Sequence, residues 1–228
     1  MNADDAVAAL TTAFSAHLNP TAAAEMSAYM RGLFPFFGIR SPLRRELQRA
    51  ALSALVKPTA DDVLDIADAC WARDERELQY AAADLIRRHD RRLGASHLPR
   101  LKRLITTKSW WDTVDGLAPA VGAVVRREPI ARQSMNEWLE ADDIWLIRVA
   151  ILHQERWKGD TDAGWLFAAC VRHAGHPDFF IRKAIGWALR SYAHTAPEAV
   201  RDFLRSDGAH LAPLSRREAE KGIARHSA

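Results

Sequence analysis

The sequence holds little that points to a metal, a cofactor or a membrane. Only two of its 228 residues are cysteines, Cys70 and Cys170, and each lies in an apolar stretch with helical periodicity. We expect buried free thiols and leave a disulfide or a metal-binding pair as the alternative. No apolar run approaches the roughly 18–20 residues that cross a bilayer. The N-terminal residues carry two aspartates and lack the basic start of a signal peptide, so we expect a cytoplasmic protein without a membrane partner.

Short motifs with a known chemical mechanism are also missing. The chain has no P-loop, no GxGxxG, no GxSxG, no HExxH and no paired cysteine and histidine spacing of a zinc finger. We therefore predict no cofactor and no bound metal, and we look for function in charged and aromatic side chains.

Arginine dominates the charged residues. The net charge is only +3, but the isoelectric point is about 9.1, and arginine far outnumbers lysine among the 32 basic residues. The planar guanidinium matches the oxygens of a phosphate, which favours a nucleic acid as the partner. A genome rich in G and C would also enrich arginine and alanine, so composition leaves both explanations open.

Helix signals follow one another along the whole chain, and we find no convincing strand. Asn19-Pro20, Ser41-Pro42 and Thr59 each predict a helix start, and Ser109 with Asp112 predicts a capping box. About a dozen helices joined by short turns form antiparallel pairs, at a period of roughly 35–40 residues that is typical of HEAT-type arrays. We predict an all-α, HEAT-like solenoid of about six helix pairs with a concave basic face. A compact helical bundle is the alternative.

The same pattern predicts one domain over residues 1–228. It contains no linker and no low-complexity stretch, and we expect disorder at residues 1–3 and 225–228.

Three segments carry candidate chemistry. Asp115 lies beyond the reach of capping, four residues after Trp111, so a carboxylate and an indole share one helical face. Arg148 interrupts an apolar run and needs an anionic partner. That partner is either Asp112 or Asp115 in a structural bridge, or a phosphate. Arg148 beside Asp115 would also keep that carboxyl ionised, and these interpretations stay open.

The third segment is a predicted helix that combines cations with an aromatic plane. Lys183, Trp187 and Arg190 are spaced to share one face, as expected of a nucleic-acid surface, although a core tryptophan with basic neighbours has the same pattern. Weaker basic clusters lie near two predicted helix starts, where phosphates bind readily. Their members include Arg44, Arg45 and Arg216.

Taken together, these segments resemble the HEAT-like-repeat DNA alkylation-repair glycosylases of the AlkD type. The resemblance spans about residues 25–225 and rests on SWWDTVD (109–115), WLIRVAILHQ (145–154), FFIRKAIGWALRSYA (179–193), LSRREAEKGI (214–223), YMRGLFPFFGIRSPLRR (29–45) and RELQYAAADLI (76–86).

The resemblance implies a helical-repeat fold and hydrolysis of the N-glycosidic bond of cationic N3- or N7-alkylated purines in double-stranded DNA. It places the catalytic aspartate at Asp115, the two site tryptophans at Trp111 and Trp187, and a DNA-contacting arginine at Arg148. On weaker grounds, Tyr29 also faces the DNA.

Two other functions remain open at this stage. A catalytically silent DNA-binding protein would keep the arginines without needing Asp115, and a protein-interaction scaffold would need neither. For the glycosylase we expect monomeric action, no obligate protein partner and the DNA of a bacterial nucleoid as substrate.

Overall fold

The structure, a computed structural model, describes residues 1–224, and every regular element in that range is helical. It contains thirteen α-helices and five short 3-10 turns, with no strand among the described residues. The prediction of an all-helical fold of about a dozen helices is therefore confirmed. No helix in this part of the chain is long and apolar enough to span a bilayer.

The chain divides into two compact units at Leu93 and Gly94. The first unit contains five helices: α1 (Ala3–Ser15), α2 (Pro20–Tyr29), α3 (Ser41–Ala51), α4 (Ala60–Trp71) and α5 (Arg76–Arg88). Helices α4 and α5 pack as a consecutive pair, and α1 packs against α3 and α4.

The second unit contains the remaining eight helices: α6 (Leu98–Thr106), α7 (Trp111–Arg127), α8 (Arg132–Leu139), α9 (Ile144–Leu152), α10 (Ala163–Arg172), α11 (Phe179–Ala193), α12 (Pro197–Arg205) and α13 (Pro213–Ala224). Consecutive helices again pair, as in α6 with α7 and α8 with α9. Alternate helices also touch, because α7 packs on α9 and α11 packs on α13. The site described below lies on these alternate helices.

A buried carboxylate organises the loop between α2 and α3. The Glu77 side chain is fully buried and accepts hydrogen bonds from the backbone N–H groups of Phe37, Gly38 and Ile39, at 2.8–3.0 Å. Three charge-assisted bonds compensate for the loss of hydration that burial of the carboxylate costs. This loop is thereby fixed against the start of α5.

Local capping explains some helix starts and fails at others. Asn19 caps α2, and Thr59 forms a reciprocal capping box with Asp62 at α4, as predicted. The capping box predicted at Ser109 is wrong: α7 begins at Trp111 without a side-chain cap. The Ser109 hydroxyl instead donates to the carbonyl of Ile105 at the end of α6.

The N-terminal end of the chain is helical and differs from the predicted disorder. At the N-terminus, the Asn2 side chain accepts a hydrogen bond from the backbone N–H of Asp5, and α1 begins at Ala3. Residues 2 and 3 therefore do not fit the disorder expected there. Residues 225–228 lie outside the described residues. That residues 1–228 form a single domain stays a prediction.

Both cysteines are buried free thiols, as predicted. They lie in different units, Cys70 on α4 and Cys170 on α10. Burial raises the pKa of the Cys70 thiol to about 12 and raises the pKa of the Cys170 thiol as well.

Candidate functional site

A bidentate ion pair between α7 and α9 forms the centre of the site. Arg148 Nε donates to Asp115 Oδ1 and Arg148 Nη2 donates to Asp115 Oδ2, both at 2.7 Å. The arginine side chain is 1% exposed, whereas the aspartate side chain is 24% exposed. The negative end of the pair is therefore the end that solvent can reach.

The third nitrogen of the Arg148 guanidinium links the ion pair to α11. Arg148 Nη1 donates to the carbonyl oxygen of Phe180 at 2.6 Å. Asp178 caps the start of α11 and accepts from the Phe180 N–H at 2.7 Å, which fixes the residue that Arg148 contacts. With three hydrogen bonds to two helices, the guanidinium cannot rotate, and neither can the carboxylate it holds.

Aromatic rings surround the guanidinium. Its central carbon lies 5.1 Å from the ring centroid of Trp187 and 5.9 Å from that of Phe180. Behind Phe180, the rings of Trp110 and Trp145 complete a cluster with centroid distances of 5.0–5.7 Å. The rings exclude water from the arginine side of the pair.

The absence of a side chain at Gly122 lets α7 approach α9 closely enough for Asp115 and Arg148 to pair. A Cβ on Gly122 of α7 would lie 1.9 Å from the carbonyl oxygen of His153, far inside contact distance. Only glycine allows this approach of two backbones. Arg148 and Asp115 lie on the two helices that this contact joins.

Burial makes Asp115 a weaker acid than usual. Desolvation raises the pKa of its carboxyl and outweighs the opposing hydrogen bonds and charge of Arg148, while the charge of Asp112 raises it further. Burial also raises the pKa of the nearby Glu155, and the negative charge of Asp115 adds to this increase. Two carboxyl groups with raised pKa values thus belong to one site, as is common where chemistry occurs.

Glu155 lines a cavity beside the site. The cavity of about 340 Å³ is bounded by Glu155, Trp187, Arg190, Ser191 and His194. The Ser191 hydroxyl donates to the Glu155 carbonyl at 2.6 Å and so fixes the backbone of Glu155. The sequence does not single out Glu155; its one signal there is a second acid downstream of Arg148.

The cations predicted on α11 share one face, and a carboxylate of α13 joins them. Glu218 Oε1 accepts from Lys183 Nζ at 3.1 Å and Glu218 Oε2 accepts from Arg190 Nη1 at 3.2 Å, while Lys221 Nζ lies 2.9 Å from Oε1. Bonding to Lys221 and to Lys183 holds the pKa of Glu218 well below its ordinary value, at about 2. Lys183 Nζ also lies 5.5 Å from the Trp187 ring centroid.

Glycine also allows the close approach of α11 and α13. A Cβ on Gly186 of α11 would lie 2.7 Å from the Cβ of Glu218. The sequence does not single out Glu218, because glutamate is common in helices. Only the fold brings it to Lys183 and Arg190.

Two of the arginines predicted to contact DNA are not placed for a direct phosphate contact. Arg148 is buried and its donors are used by Asp115 and Phe180, which is the structural bridge left open by the sequence. Arg44 is 4% exposed and donates to Asp84 at 2.8 Å and to Gln48 at 3.1 Å. Both side chains would have to leave carboxylate partners to reach a phosphate.

The other predicted contacts differ in accessibility. Arg216 donates to the carbonyls of Leu204 and Gly208, so it joins the start of α13 to the end of α12. Arg45 keeps 58% of its side chain exposed, and Tyr29, the last residue of α2, is 73% exposed.

The first residue of α7 is Trp111, which is partly exposed and lies one turn before Asp115. The described residues contain no group of three or more His, Cys, Asp or Glu side chains placed to hold a metal ion.

Comparison with known proteins identifies the family. The model of the DNA alkylation repair enzyme family matches residues 10–223. A solved structure described as a predicted DNA alkylation repair enzyme from Enterococcus faecalis has 32% sequence identity and a TM-score of 0.83. The similarity covers 91% of this chain and 97% of that one. No curated protein matches. With nearly its whole length matched by sequence and by fold, the chain belongs to the DNA alkylation repair enzyme family.

Proposed function

We propose that this protein is a monofunctional DNA glycosylase that hydrolyses the N-glycosidic bond of cationic N3- and N7-alkylated purines, with 3-methyladenine and 7-methylguanine as simple substrates. One observation carries the proposal: the Asp115–Arg148 pair buries its arginine and leaves its carboxylate accessible. A fixed negative charge is thus available to a substrate that becomes positive as it reacts.

The chemistry of the substrate explains why one carboxylate suffices. Alkylation at N3 or N7 gives the purine a positive charge, so the base leaves with the bonding electrons and needs no general acid. The sugar is left as an oxocarbenium ion, and water then adds to C1′ and loses a proton. An ionised Asp115 near C1′ stabilises the cation and orients the water.

The surroundings of Asp115 favour this role. Because Arg148 binds both oxygens, the carboxylate is preorganised and needs little rearrangement during the reaction. The indole of Trp187 lies beside the pair, and its π face attracts cations, as its distances to Arg148 and Lys183 illustrate. We expect Trp187 and Trp111 to pack on the deoxyribose at the lesion.

A monofunctional reaction agrees with the state of Lys183. A bifunctional glycosylase attacks the sugar with a free amine, but Lys183 Nζ already donates to Glu218 Oε1 at 3.1 Å. Water is the remaining nucleophile in this reaction. The concave basic face, monomeric action and a cytoplasmic location stay predictions.

The decisive experiment is to incubate the purified protein with methylated duplex DNA and to identify the released bases by chromatography. We expect 3-methyladenine and 7-methylguanine in the supernatant and abasic sites in the DNA. Tight binding to the methylated duplex without any base release would instead support the catalytically silent DNA-binding protein, and the glycosylase proposal would be wrong.

A further inference from the structure

The indole of Trp187 contacts two cations, and a carboxylate holds each of them. The central carbon of Arg148 lies 5.1 Å from the ring centroid, and Lys183 Nζ lies 5.5 Å from it. Asp115 binds Arg148 at 2.7 Å, and Glu218 Oε1 accepts from Lys183 Nζ at 3.1 Å. Glu218 therefore fixes the second cation on the ring, as Asp115 fixes the first.

The same carboxylate also holds the cation on the other side of Trp187 along α11. Glu218 Oε2 accepts from Arg190 Nη1 at 3.2 Å. Lys183 precedes Trp187 by four residues and Arg190 follows it by three, so the three side chains share one face of the helix. The lysine and arginine side chains are only 23% and 31% exposed. One carboxylate thus bridges the two residues that flank the indole.

The packing of α11 on α13 has other supports besides this carboxylate. A Cβ on Gly186 would lie 3.1 Å from the Cα of Ser215, and a Cβ on Gly222 would lie 2.5 Å from a backbone carbonyl oxygen of α11. The Ser215 hydroxyl donates to the carbonyl of Arg182 at 2.7 Å. These contacts already dock the two helices, and buried ion pairs are a weak source of stability. The bonds of Glu218 to two cations therefore indicate a role beyond docking.

We propose that Glu218 is a positioning residue that holds Lys183 and Arg190 on either side of Trp187 and so fixes its indole for contact with the deoxyribose at the lesion. The ammonium group of a lysine sits on a flexible four-carbon stem and is strongly hydrated. Without Glu218 it would turn to solvent and leave the face of the ring, which attracts cations. The partly exposed indole would then sample more rotamers.

This inference rests on the proposed function, from which it takes the role of Trp187. Glu218 acts through that indole and need not contact the substrate. The first test is Glu218→Gln, which keeps the size of the side chain and removes its charge. We expect the single-turnover rate of 7-methylguanine release at saturating enzyme to fall about tenfold, because a misplaced group can cost up to about 10²-fold. Kd for an unmodified duplex, measured by fluorescence anisotropy, should not rise, because the variant frees two cations and removes none.

A matched control changes another member of the same cluster. Lys221 Nζ lies 2.9 Å from the Glu218 carboxylate, but the lysine on the Trp187 ring is Lys183. Lys221→Gln should therefore leave the release rate within about twofold of the wild type. Lys183→Met keeps the aliphatic stem and breaks the same link from the other end, so it should slow release by about the same factor as Glu218→Gln. It also tests the inference if Glu218→Gln fails to fold. Melting temperatures verify the folding of each variant.

A double variant distinguishes positioning from a general structural role. If Glu218 acts through Trp187, adding Glu218→Gln to Trp187→Ala should slow release no further, within about twofold, because residues that act as a unit are not additive. A general structural role would slow the wild type and Trp187→Ala by the same factor.

Three results would overturn the inference while the wild type releases base. The first is a folded Glu218→Gln protein that releases base as fast as the wild type. The second is an equal decrease in rate with and without Trp187. The third is tighter duplex binding at an unchanged rate, which would make Glu218 a competitor of DNA phosphates for the two cations. A wild type that releases no base gives a different result, since it would disprove the glycosylase and this inference together.

Discussion

Two buried arginines each hold a partly exposed aspartate in this protein, one pair in each unit. Arg44 on α3 binds Asp84 on α5, and Arg148 on α9 binds Asp115 on α7. The aspartate side chains are 21% and 24% exposed, so accessibility does not distinguish them. An aromatic ring lies beside each guanidinium, Tyr80 at 5.6 Å and Trp187 at 5.1 Å.

The pairs differ in the charges around the carboxylate. Asp84 is also bound by Arg87 at 3.2 Å and lies 3.7 Å from Arg45. Burial raises its pKa, but bonding to Arg44 and Arg87 outweighs this effect, and the pKa lies below its ordinary value. Asp115 has Arg148 as its ionic partner and Asp112 as an acidic neighbour, and its pKa is raised. Asp84 therefore lies in an excess of positive charge, whereas the single charge of Arg148 only balances that of Asp115.

The largest expected effect tests this distinction by neutralising each aspartate. Asp115→Asn should slow release of 7-methylguanine by about 10²–10³-fold, because it removes a preorganised charge at the transition state. Asp84→Asn should slow it less than about threefold. Single-turnover release from methylated duplex DNA measures both, and melting curves verify that each variant folds. Equal decreases in rate would contradict the comparison.

The pH dependence tests the comparison of the two pairs further, because the pKa of Asp115 is raised and the pKa of Asp84 is lowered. Base release should fall about tenfold per pH unit as pH drops below the raised pKa of Asp115, because the reaction needs the carboxylate. The free energy that Asp115 contributes to folding has the opposite pH dependence, because it is present at low pH and is lost as pH rises through that pKa. Asp84, with its lowered pKa, stabilises above its ordinary pKa and loses this contribution as pH falls through its folded value.

Rate profiles and unfolding free energies measured over the same pH range verify both signs. Glu155→Gln is the control for the rate profile, because Glu155 is the other carboxyl of the site with a raised pKa. An acid limb that disappears in this variant would assign the titration to Glu155 instead of Asp115.

The two pairs also differ in the backbone that supports them. Gly122 lets α7 contact α9, whereas α3 and α5 contain no glycine. Gly122→Ala should lower the free energy of unfolding by about 1–3 kcal/mol, because the added methyl meets a carbonyl. Gly164→Ala on α10 is the control, since its Cβ would meet only a side-chain oxygen at 3.6 Å. Chemical denaturation measures both, and equal stabilities would rule out the steric role of Gly122.

The smallest effect concerns Asp84 itself. Replacing Arg45 and Arg87 with Gln should raise the pKa of Asp84 towards the behaviour of Asp115, because two of its three cationic neighbours disappear. Titration of the carboxyl carbon by NMR follows this change. A pKa that stays below its ordinary value would mean that Arg44 alone accounts for the lowering.

How far the sequence predicts this molecule depends on the range of the interactions. The caps at Asn19 and Thr59 were predictable because a cap contacts residues three positions away. Ser109 has the same local pattern but donates to Ile105, so a contact with the preceding helix overrides the local rule. Helical spacing predicted that Lys183 and Arg190 share a face, and both reach one carboxylate.

Partners far apart in sequence were harder to predict. An anionic partner for Arg148 was expected, but periodicity could not decide between a bridge to an aspartate and a phosphate. The convergence of Arg49 with Arg88 and Arg92 is not predictable for the same reason, because only the packing of α3 beside α5 brings these side chains to one groove.

The buried cysteines have a consequence for a protein that repairs alkylation damage. Methylating agents attack thiolates before most other protein groups, and a modified thiol in a helical core would disrupt packing. Cys70 and Cys170 are inaccessible, and their raised pKa values keep them protonated at neutral pH. We therefore expect these two thiols to resist the alkylating agents that damage DNA.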